Sequence, residues 1–258
     1  MARKWTKFPH ADKTYAYDGA ALKKHWERLH RGDCEPFPKD ADVQSAWRHY
    51  HAGEFEQAVE AGKTAAGAGL NAAAKAQAIY ANYLEGNERN KLALLEEAAA
   101  LADTRRRQAP KDPNAHYLYA YALGRYSQGI SVAKALAQGF GGKIKDALGT
   151  VLKLNPSHAE AHTAYGAYQA EVIAKVGALV ASMTYGAKKD SALEHYQKAV
   201  KLHPESAIAR IEYANGLILL GGKSQLDDAT KLYEQAAKCK PADAMERLDV
   251  ELARSELE

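Results

Sequence analysis

The sequence is poor in cysteine and has no long apolar run. Only Cys34 and Cys239 occur among the 258 residues. A disulfide framework is therefore excluded, and a reducing, cytoplasmic location is expected. In the apolar insert region, the longest uncharged stretch runs from residue 176 to 187, which is shorter than the ~20 residues that a membrane-spanning helix needs. We expect no membrane span.

The sequence has no large excess of positive or negative charge. The 35 Lys and Arg residues against 32 Asp and Glu residues leave a net charge of +3, which is too small to indicate a nucleic-acid partner. The bases Arg3, Lys4 and Lys7 are not followed by the apolar run of roughly 7–15 residues that a secretory signal contains. We expect residues 1–41 to form an arm and a first helix packed on the body.

Alternating runs of β-branched residues are absent as well. Ala, Leu, Glu, Lys and Gln fill most segments instead, which predicts an all-α fold. Asp18, Asp112 and Asn155 are typical N-cap residues, and the last two precede a proline at the first helical position. The predicted helices cover residues 18–30, 42–51, 54–66, 71–84, 88–109, 113–137, 141–153, 157–182, 189–202, 205–220, 225–238 and 242–256.

A pattern recurs along the chain and ends each time at a proline. Pro113, Pro156, Pro204 and Pro241 are separated by 43, 48 and 37 residues. Before the last two of these prolines, a small, a large and a small residue stand at the same intervals. Small residues let two helices approach closely, and the tyrosine fills the groove between them. The two matching sets are Ala192, Tyr196 and Ala199, and Ala229, Tyr233 and Ala236.

This pattern resembles that of the tetratricopeptide repeat (TPR) proteins, whose helix pairs repeat at about 34 residues. The resemblance is strong over 157–241, continues over 113–156, and extends to 42–70. It implies a right-handed TPR-like α-solenoid of about five helix pairs over 42–241. Residues 242–258 would form an amphipathic capping helix whose acidic end faces the solvent.

A narrower resemblance covers residues 114–241. The order AHYLYAYALG, KDALGTVLKLNPSHAEAHTAYGAY, a long insert and SALEHYQKAVKLHP is similar to the regulator of microtubule dynamics family. Members of that family share an enlarged repeat before the last helix pair. The resemblance implies a cytoskeletal role by analogy of fold.

Two apolar inserts explain the surplus length of the third and fourth pairs. They lie at 130–144 and 175–189, between the first and second helix of each pair, and should be neighbours in space. Exposed loops are usually polar, so an apolar insert must bury itself. The favoured interpretation is that the inserts lengthen both first helices and pack on each other. The alternative is that they form the wall of a pocket beside the concave face.

The first helices of the last three pairs supply the candidate binding face. Rings give contact area there, and a carboxylate and an amide give orientation. We expect a non-enzymatic scaffold that binds a protein or peptide on this face, with a small-ligand carrier or sensor as the alternative. For Tyr119 and Tyr126, packing between helix pairs is as well supported as a role in binding. The candidate residues are Tyr119, Leu123, Tyr126, Thr163, Ala167, Glu171, Ile211, Asn215 and Ile218.

Catalytic and cofactor motifs are not found. GLILLGGKS at 216–224 has the wrong spacing for a phosphate-binding loop and follows a predicted helix, so its glycines are expected to end that helix. His158 and His162 provide only half of a metal site, and we expect them to be a surface pair. Arg105–Arg107 is expected to complement a helix dipole. The sequence therefore predicts no catalytic residue, metal or cofactor.

Overall fold

The computed structural model describes residues 5–258, which form helices joined by turns and contain no β-strand. Arg3 and Lys4 lie outside the described residues. The helices are α1 (Ala21–Leu29), α2 (Ala41–Ala52), α3 (Phe55–Ala65), α4 (Gly69–Tyr83), α5 (Glu88–Gln108), α6 (Pro113–Ile130), α7 (Val132–Ala137), α8 (Phe140–Leu154), α9 (Ala159–Val176), α10 (Ala178–Val180), α11 (Lys189–Leu202), α12 (Ala207–Gly221), α13 (Leu226–Ala237) and α14 (Ala244–Ser255).

The helices pack as five consecutive pairs. The pairs are α2/α3, α4/α5, α6/α8, α9/α11 and α12/α13, and the second helix of each pair also contacts the first helix of the next. The predicted all-α solenoid of five pairs is confirmed. Most of the chain shares one buried core, and a second core joins α12, α13 and α14.

Tyr196 shows why the repeat needs small residues at fixed places. Its side chain is 1% exposed and lies between Gly166 of α9 and Gly216 of α12. A Cβ on Gly216 would come within 2.6 Å of the tyrosine hydroxyl oxygen, so only glycine admits this ring. Gly216 is therefore a packing residue in mid-helix, and the helix instead ends at Gly222, which has φ +63°.

Two long predicted helices end earlier than their composition suggests. α6 ends at Ile130 because Ser131 takes φ 84°, and α9 ends at Val176 because Gly177 takes φ 79°. Asp112 caps α6, as predicted, by accepting from the N–H groups of Asn114 and Ala115. The other two predicted caps were wrong: His158 caps α9, and α1 begins after Ala20 with no side-chain cap.

The two inserts lie side by side. The Tyr185 ring packs on Gly141, and Lys145 Nζ lies directly over Gly186. They form new short elements, α7, α10 and a π-helical turn at Ala181–Tyr185, instead of lengthening α6 and α9. The expectation that their apolar side chains are buried holds for Ala135, Ala181 and Ala187. It is wrong for Leu179, Val180 and Met183, which are exposed.

The N-terminal arm packs on the first helices. Trp5 and Tyr80 have ring centroids 4.0 Å apart, and the Thr6 N–H donates to the Tyr80 hydroxyl. Tyr15 is buried, and the Tyr17 hydroxyl donates to the carbonyl of Ala242, just before α14. The arm therefore joins the first helices to the segment that precedes α14.

Candidate functional site

A partly open apolar pocket lies on the concave face. Its cavity volume is about 120 Å³. Its walls come from α4, α6, α9 and α12, the first helices of four pairs. Insert helix α7 and the start of α8 close one end with Val132, Ala135, Leu136, Gly141 and Ile144, and Met245 of α14 contributes from another side. The first insert is thus a pocket wall, whereas the second packs behind it.

On α9, the predicted inner face is the observed one. Thr163, Ala167 and Glu171 all line the pocket. The Glu171 carboxylate accepts a hydrogen bond from Gln128 of α6, and burial raises the pKa of Glu171 above its ordinary value. Whether these residues bind a ligand stays a prediction.

On α6, the predicted placement was wrong. Tyr119 lies under the guanidinium of Arg106, 4.2 Å from its ring centroid, and the Tyr126 ring meets Phe140 at 5.9 Å. Leu123 is buried in the core. Tyrosines stand on both sides of this helix in the segment YLYAY, so the sequence alone could not tell the inner face from the packed one. The α6 residues that line the pocket include Tyr117, Tyr121, Arg125 and Gln128.

The predicted face of α12 was also wrong. Ile211 and Ile218 pack in the second core with α13, and Asn215 accepts a hydrogen bond from the Tyr233 hydroxyl. Ile208, Ala209 and Glu212 line the pocket instead. α12 is apolar nearly all round, so its periodicity does not show which side faces inward.

An ion pair crosses the pocket wall from α6 to α12. Arg125 Nη2 lies 2.6 Å from Glu212 Oε1, and the guanidinium lies over the Tyr121 ring, 5.3 Å from the centroid. This pair links the third helix pair to the fifth, past α9. Because each charge has its partner within the protein, neither needs a charged ligand.

The segment His30–Pro36 covers the end of the concave face where the first helices begin. The Glu160 N–H of α9 donates to the carbonyl of Gly32 at 3.0 Å. The Asn114 side chain of α6 donates to Glu35 at 2.5 Å. Burial is the main reason that the pKa of Glu35 rises to about 8, so its carboxyl is mostly neutral at pH 7. One edge of the groove is therefore occupied by the chain itself.

A buried lysine fastens this segment to the pocket floor. Lys75 Nζ of α4 lies 2.6 Å from Asp33 and 2.9 Å from Glu160. Burial opposes the ionised form of Asp33, but Lys75 and His30 outweigh that effect and hold the pKa of Asp33 well below its usual range. Lys75 therefore has two carboxylate partners within the protein.

Helix α14 reaches back to the first helices through partly buried polar contacts. Arg28 of α1 makes a two-point contact with Glu246 at 2.6 and 2.8 Å. The Tyr83 hydroxyl donates to Asp249 at 2.5 Å, and burial raises the pKa of Asp249 well above its usual range. Glu256 and Glu258, at the acidic end of the helix, are exposed. The helix thus closes the concave face as well as covering the last pair.

Two histidines continue this buried network. His51 Nδ1 lies 2.7 Å from Asp243, His51 Nε2 lies 3.2 Å from His30 Nε2, and His30 Nδ1 lies 3.0 Å from Asp33. All three contacts can be hydrogen bonds only if the two imidazoles carry three protons between them. Burial lowers the pKa of His30 to about 4. Sequence reasoning missed this chain of contacts because its members come from three separate segments.

The predicted surface pair His158 and His162 is buried. His158 Nε2 lies 2.8 Å from Asn114 Oδ1, while its other ring nitrogen accepts from the Ala161 N–H and caps α9. Burial lowers the pKa of His158 to about 3. His162 contacts the carbonyl of Pro156 and the ring of His195. Both histidines therefore have structural roles.

Residues 5–258 offer little other candidate chemistry. No group of three or more His, Cys, Asp or Glu side chains there is placed to hold a metal ion. None of the described helices is both long and apolar enough to cross a bilayer. Arg105 pairs with Asp112, and Arg106 and Arg107 both pair with Asp103. Cys34 and Cys239 are free thiols.

Comparisons with known proteins agree with this architecture. The family model "Regulator of microtubule dynamics protein 1-3" matches residues 52–257. A crystal structure of TTC0263, a thermophilic TPR protein of Thermus thermophilus, matches with a TM-score of 0.56 and 18% identity. The match covers 83% of this chain and 97% of that one. No curated protein matches. At this identity the structural match shows the fold alone.

Proposed function

Since the chain belongs to the regulator of microtubule dynamics protein 1-3 family, we propose that it is a non-enzymatic helical-repeat protein whose concave pocket binds an uncharged apolar ligand. The observation that carries this proposal is that the concave face is covered along several of its margins, which leaves a partly open pocket. An open groove would suit an extended peptide or a helix along its whole length. Here the His30–Pro36 segment, α14 and α7 each occupy a margin of that groove.

The chemistry of the pocket supports an uncharged ligand. Aliphatic carbons and tyrosine rings form most of the wall, as in sites for small apolar molecules. Lys75 and Arg125 reach the wall but are neutralised by carboxylates within the protein. A charged ligand would have to displace one of these buried partners, which is costly.

A titration with N-phenyl-1-naphthylamine, a neutral fluorescent dye, tests the proposal. We expect the wild-type protein to bind it with one saturable site and enhanced emission. Ala167→Phe places a ring in the pocket and should weaken binding at least about ten-fold, or about 1.4 kcal/mol. Ala174→Phe is the matched control, because Ala174 is an exposed residue of the same helix that does not line the pocket.

The outcome separates a ligand site from an internal void. Failure of the wild type to bind the dye, or equal binding by Ala167→Phe and Ala174→Phe, would contradict the proposal. If Ala167→Phe lowers the melting temperature and Ala174→Phe does not, the pocket wall cannot accommodate the phenylalanine ring. Gly124→Leu, discussed below, then provides the second variant.

A second candidate function is a protein-binding scaffold in the cytoplasm. The solenoid is similar to a TPR protein, and solenoids of this kind present extended binding surfaces. The name of the matched family mentions microtubule dynamics, so polymerised tubulin is the partner to test. Co-sedimentation that saturates at a fixed ratio would support this function. Recovery of all the protein in the supernatant would exclude tubulin as the partner.

A further inference from the structure

The end of the solenoid formed by the two inserts has an unusual charge pattern. Residues 130–145 and 172–189, which we call the insert end, contain no Asp or Glu. They contain six lysines, while the whole chain has a net charge of only +3, so the remainder is net negative. The nearest carboxylates along the chain are Glu171, Asp146 and Asp190. The six lysines are Lys134, Lys143, Lys145, Lys175, Lys188 and Lys189.

The insert end also carries the most exposed large apolar side chains of the described residues. Leu179 is 74% exposed and Met183 is 79% exposed, and Val180 beside them is 48% exposed. The other exposed large apolar residues, such as Leu226, range from 40% to 46%. These three residues of α10 and the π-helical turn form what we call the tip. Gly177 precedes the tip with φ 79°, and Gly186 follows it with φ 67°.

Four of the six lysines lie beside this tip. Lys175 lies in the last turn of α9, just before the tip, and Lys188 and Lys189 follow the tip. All three lysines are exposed. Lys145 lies over Gly186 at the C-terminal end of the tip. Lys143 lies over the Phe140 ring, 5.2 Å from its centroid. The tip is therefore an exposed apolar surface flanked by lysines.

From this arrangement we infer that the insert end docks the protein on the anionic surface of a lipid bilayer. Apolar side chains that enter the boundary between headgroups and acyl chains are stabilised there, while lysines gain from anionic headgroups. A second copy of this chain is a poorer occupant, because two such ends would bring six lysines against six. The docked protein lies on the membrane and does not cross it, since three exposed side chains reach only the interface.

Vesicle flotation with the full chain tests this inference. We expect binding to vesicles with roughly 30 mol% phosphatidylserine in phosphatidylcholine and at least about ten-fold weaker binding to phosphatidylcholine alone. Raising KCl from about 0.1 M to 0.5 M should weaken the binding, because salt screens the lysine contribution. Inorganic phosphate added at constant ionic strength should not compete, which separates a bilayer from a free anion.

Paired variants distinguish the contribution of the tip and its lysines from that of exposed apolar residues and lysines elsewhere on the protein. Leu179→Asp combined with Met183→Asp should reduce binding at least about ten-fold, whereas Leu226→Asp on α13 should leave it unchanged. Lys188→Glu combined with Lys189→Glu should reduce it about ten-fold or more, whereas Lys201→Glu, farther along α11, should have a smaller effect. All of these positions are exposed, so unfolding does not confound the comparison.

Several results would overturn the inference. One is equal binding to neutral and anionic vesicles, and another is no binding to either. A third is wild-type binding by the variant that carries both Leu179→Asp and Met183→Asp. Sedimentation velocity adds a fourth: a wild-type dimer that this variant converts to a monomer would assign the tip to a second copy. The pocket and the insert end are tested by different measurements, so either proposal can fail alone.

Discussion

Gly124→Leu provides a sharp test of the pocket, because it should raise stability and remove binding at the same time. Gly124 lies inside α6 and lines the pocket, and no atom lies within 4 Å of the position that its Cβ would take. In most helices such a change either clashes with a neighbour or reaches solvent. Here the leucine side chain would enter the apolar space where the ligand is expected.

The size of the effect follows from two contributions. Replacing glycine inside a helix with a good helix former is worth about 0.8–1 kcal/mol. Burying a leucine side chain adds at most about 1.5–3 kcal/mol, and less here because the pocket is partly open. We therefore expect the free energy of unfolding to rise by about 1–3 kcal/mol. At roughly 2–4 °C per kcal/mol for a chain of this size, the melting temperature should rise by several degrees.

Gly149→Leu is the matched control. Gly149 lies inside α8, also has no atom within 4 Å of its Cβ position, and does not line the pocket. This variant should gain the helix contribution and bind N-phenyl-1-naphthylamine as the wild type does. The assay pairs urea unfolding with dye titration for all three proteins. Wild-type dye affinity in Gly124→Leu, or a stability below that of the wild type, would refute our description of the pocket.

Four further predictions concern buried groups and turns. Ala199→Leu and Ala236→Leu, both at positions with 0% exposure, should overpack the helix contacts and cost about 1–3 kcal/mol; melts within a degree of the wild type would contradict this. Because burial raises the pKa of Glu35 to about 8, the stability contributed by its neutral carboxyl is complete below about pH 4.5 and is lost as the pH rises through about 8. The Glu35→Gln side chain cannot ionise, so the stability of this variant relative to the wild type should increase steadily between pH 5 and pH 8. If urea unfolding gives the same stability difference between the two proteins at pH 5 and at pH 8, the prediction for Glu35 is wrong. Asp243→Ala should cost about 1.5–3 kcal/mol in urea unfolding, since Asp243 caps α14 and partners His51; an unchanged midpoint would disprove its role in docking that helix. Gly139→Ala should cost roughly 1–2 kcal/mol in a thermal melt because Gly139 takes φ +75° in open space, and a melt equal to the wild type would show that the turn relaxes.

Local patterns were sufficient for the fold class. The intervals between Ala192, Tyr196 and Ala199 repeat in the next pair, and close packing of helices needs small residues at those positions. The cap at Asp112 followed from such short-range rules, whereas the five pairs and the proximity of the two inserts followed from the resemblance to TPR proteins that this pattern carries. They could be predicted because helix formation and pairing depend on residues that are close in sequence.

The inner face of each first helix was harder to predict. Thr163, Ala167 and Glu171 follow one another at intervals of four residues, so they share one side of α9, and that side lines the pocket. Tyr119 and Tyr126 were misplaced, because α6 carries tyrosines on both sides and their positions depend on contacts with Arg106 and Phe140. Side-chain type does not reveal direction when both faces of a helix are apolar.

The residue pattern and its resemblance to TPR proteins predicted a solenoid of helix pairs with two apolar inserts. That the solenoid closes on itself is apparent only in the folded chain. The contacts that close it, such as Arg28 with Glu246 and His51 with Asp243, join residues that are far apart in the chain. No periodicity relates such residues, and each is an ordinary polar side chain until folding buries it beside its partner. Burial then makes the pairing obligatory, because an isolated buried charge costs far more than a paired one.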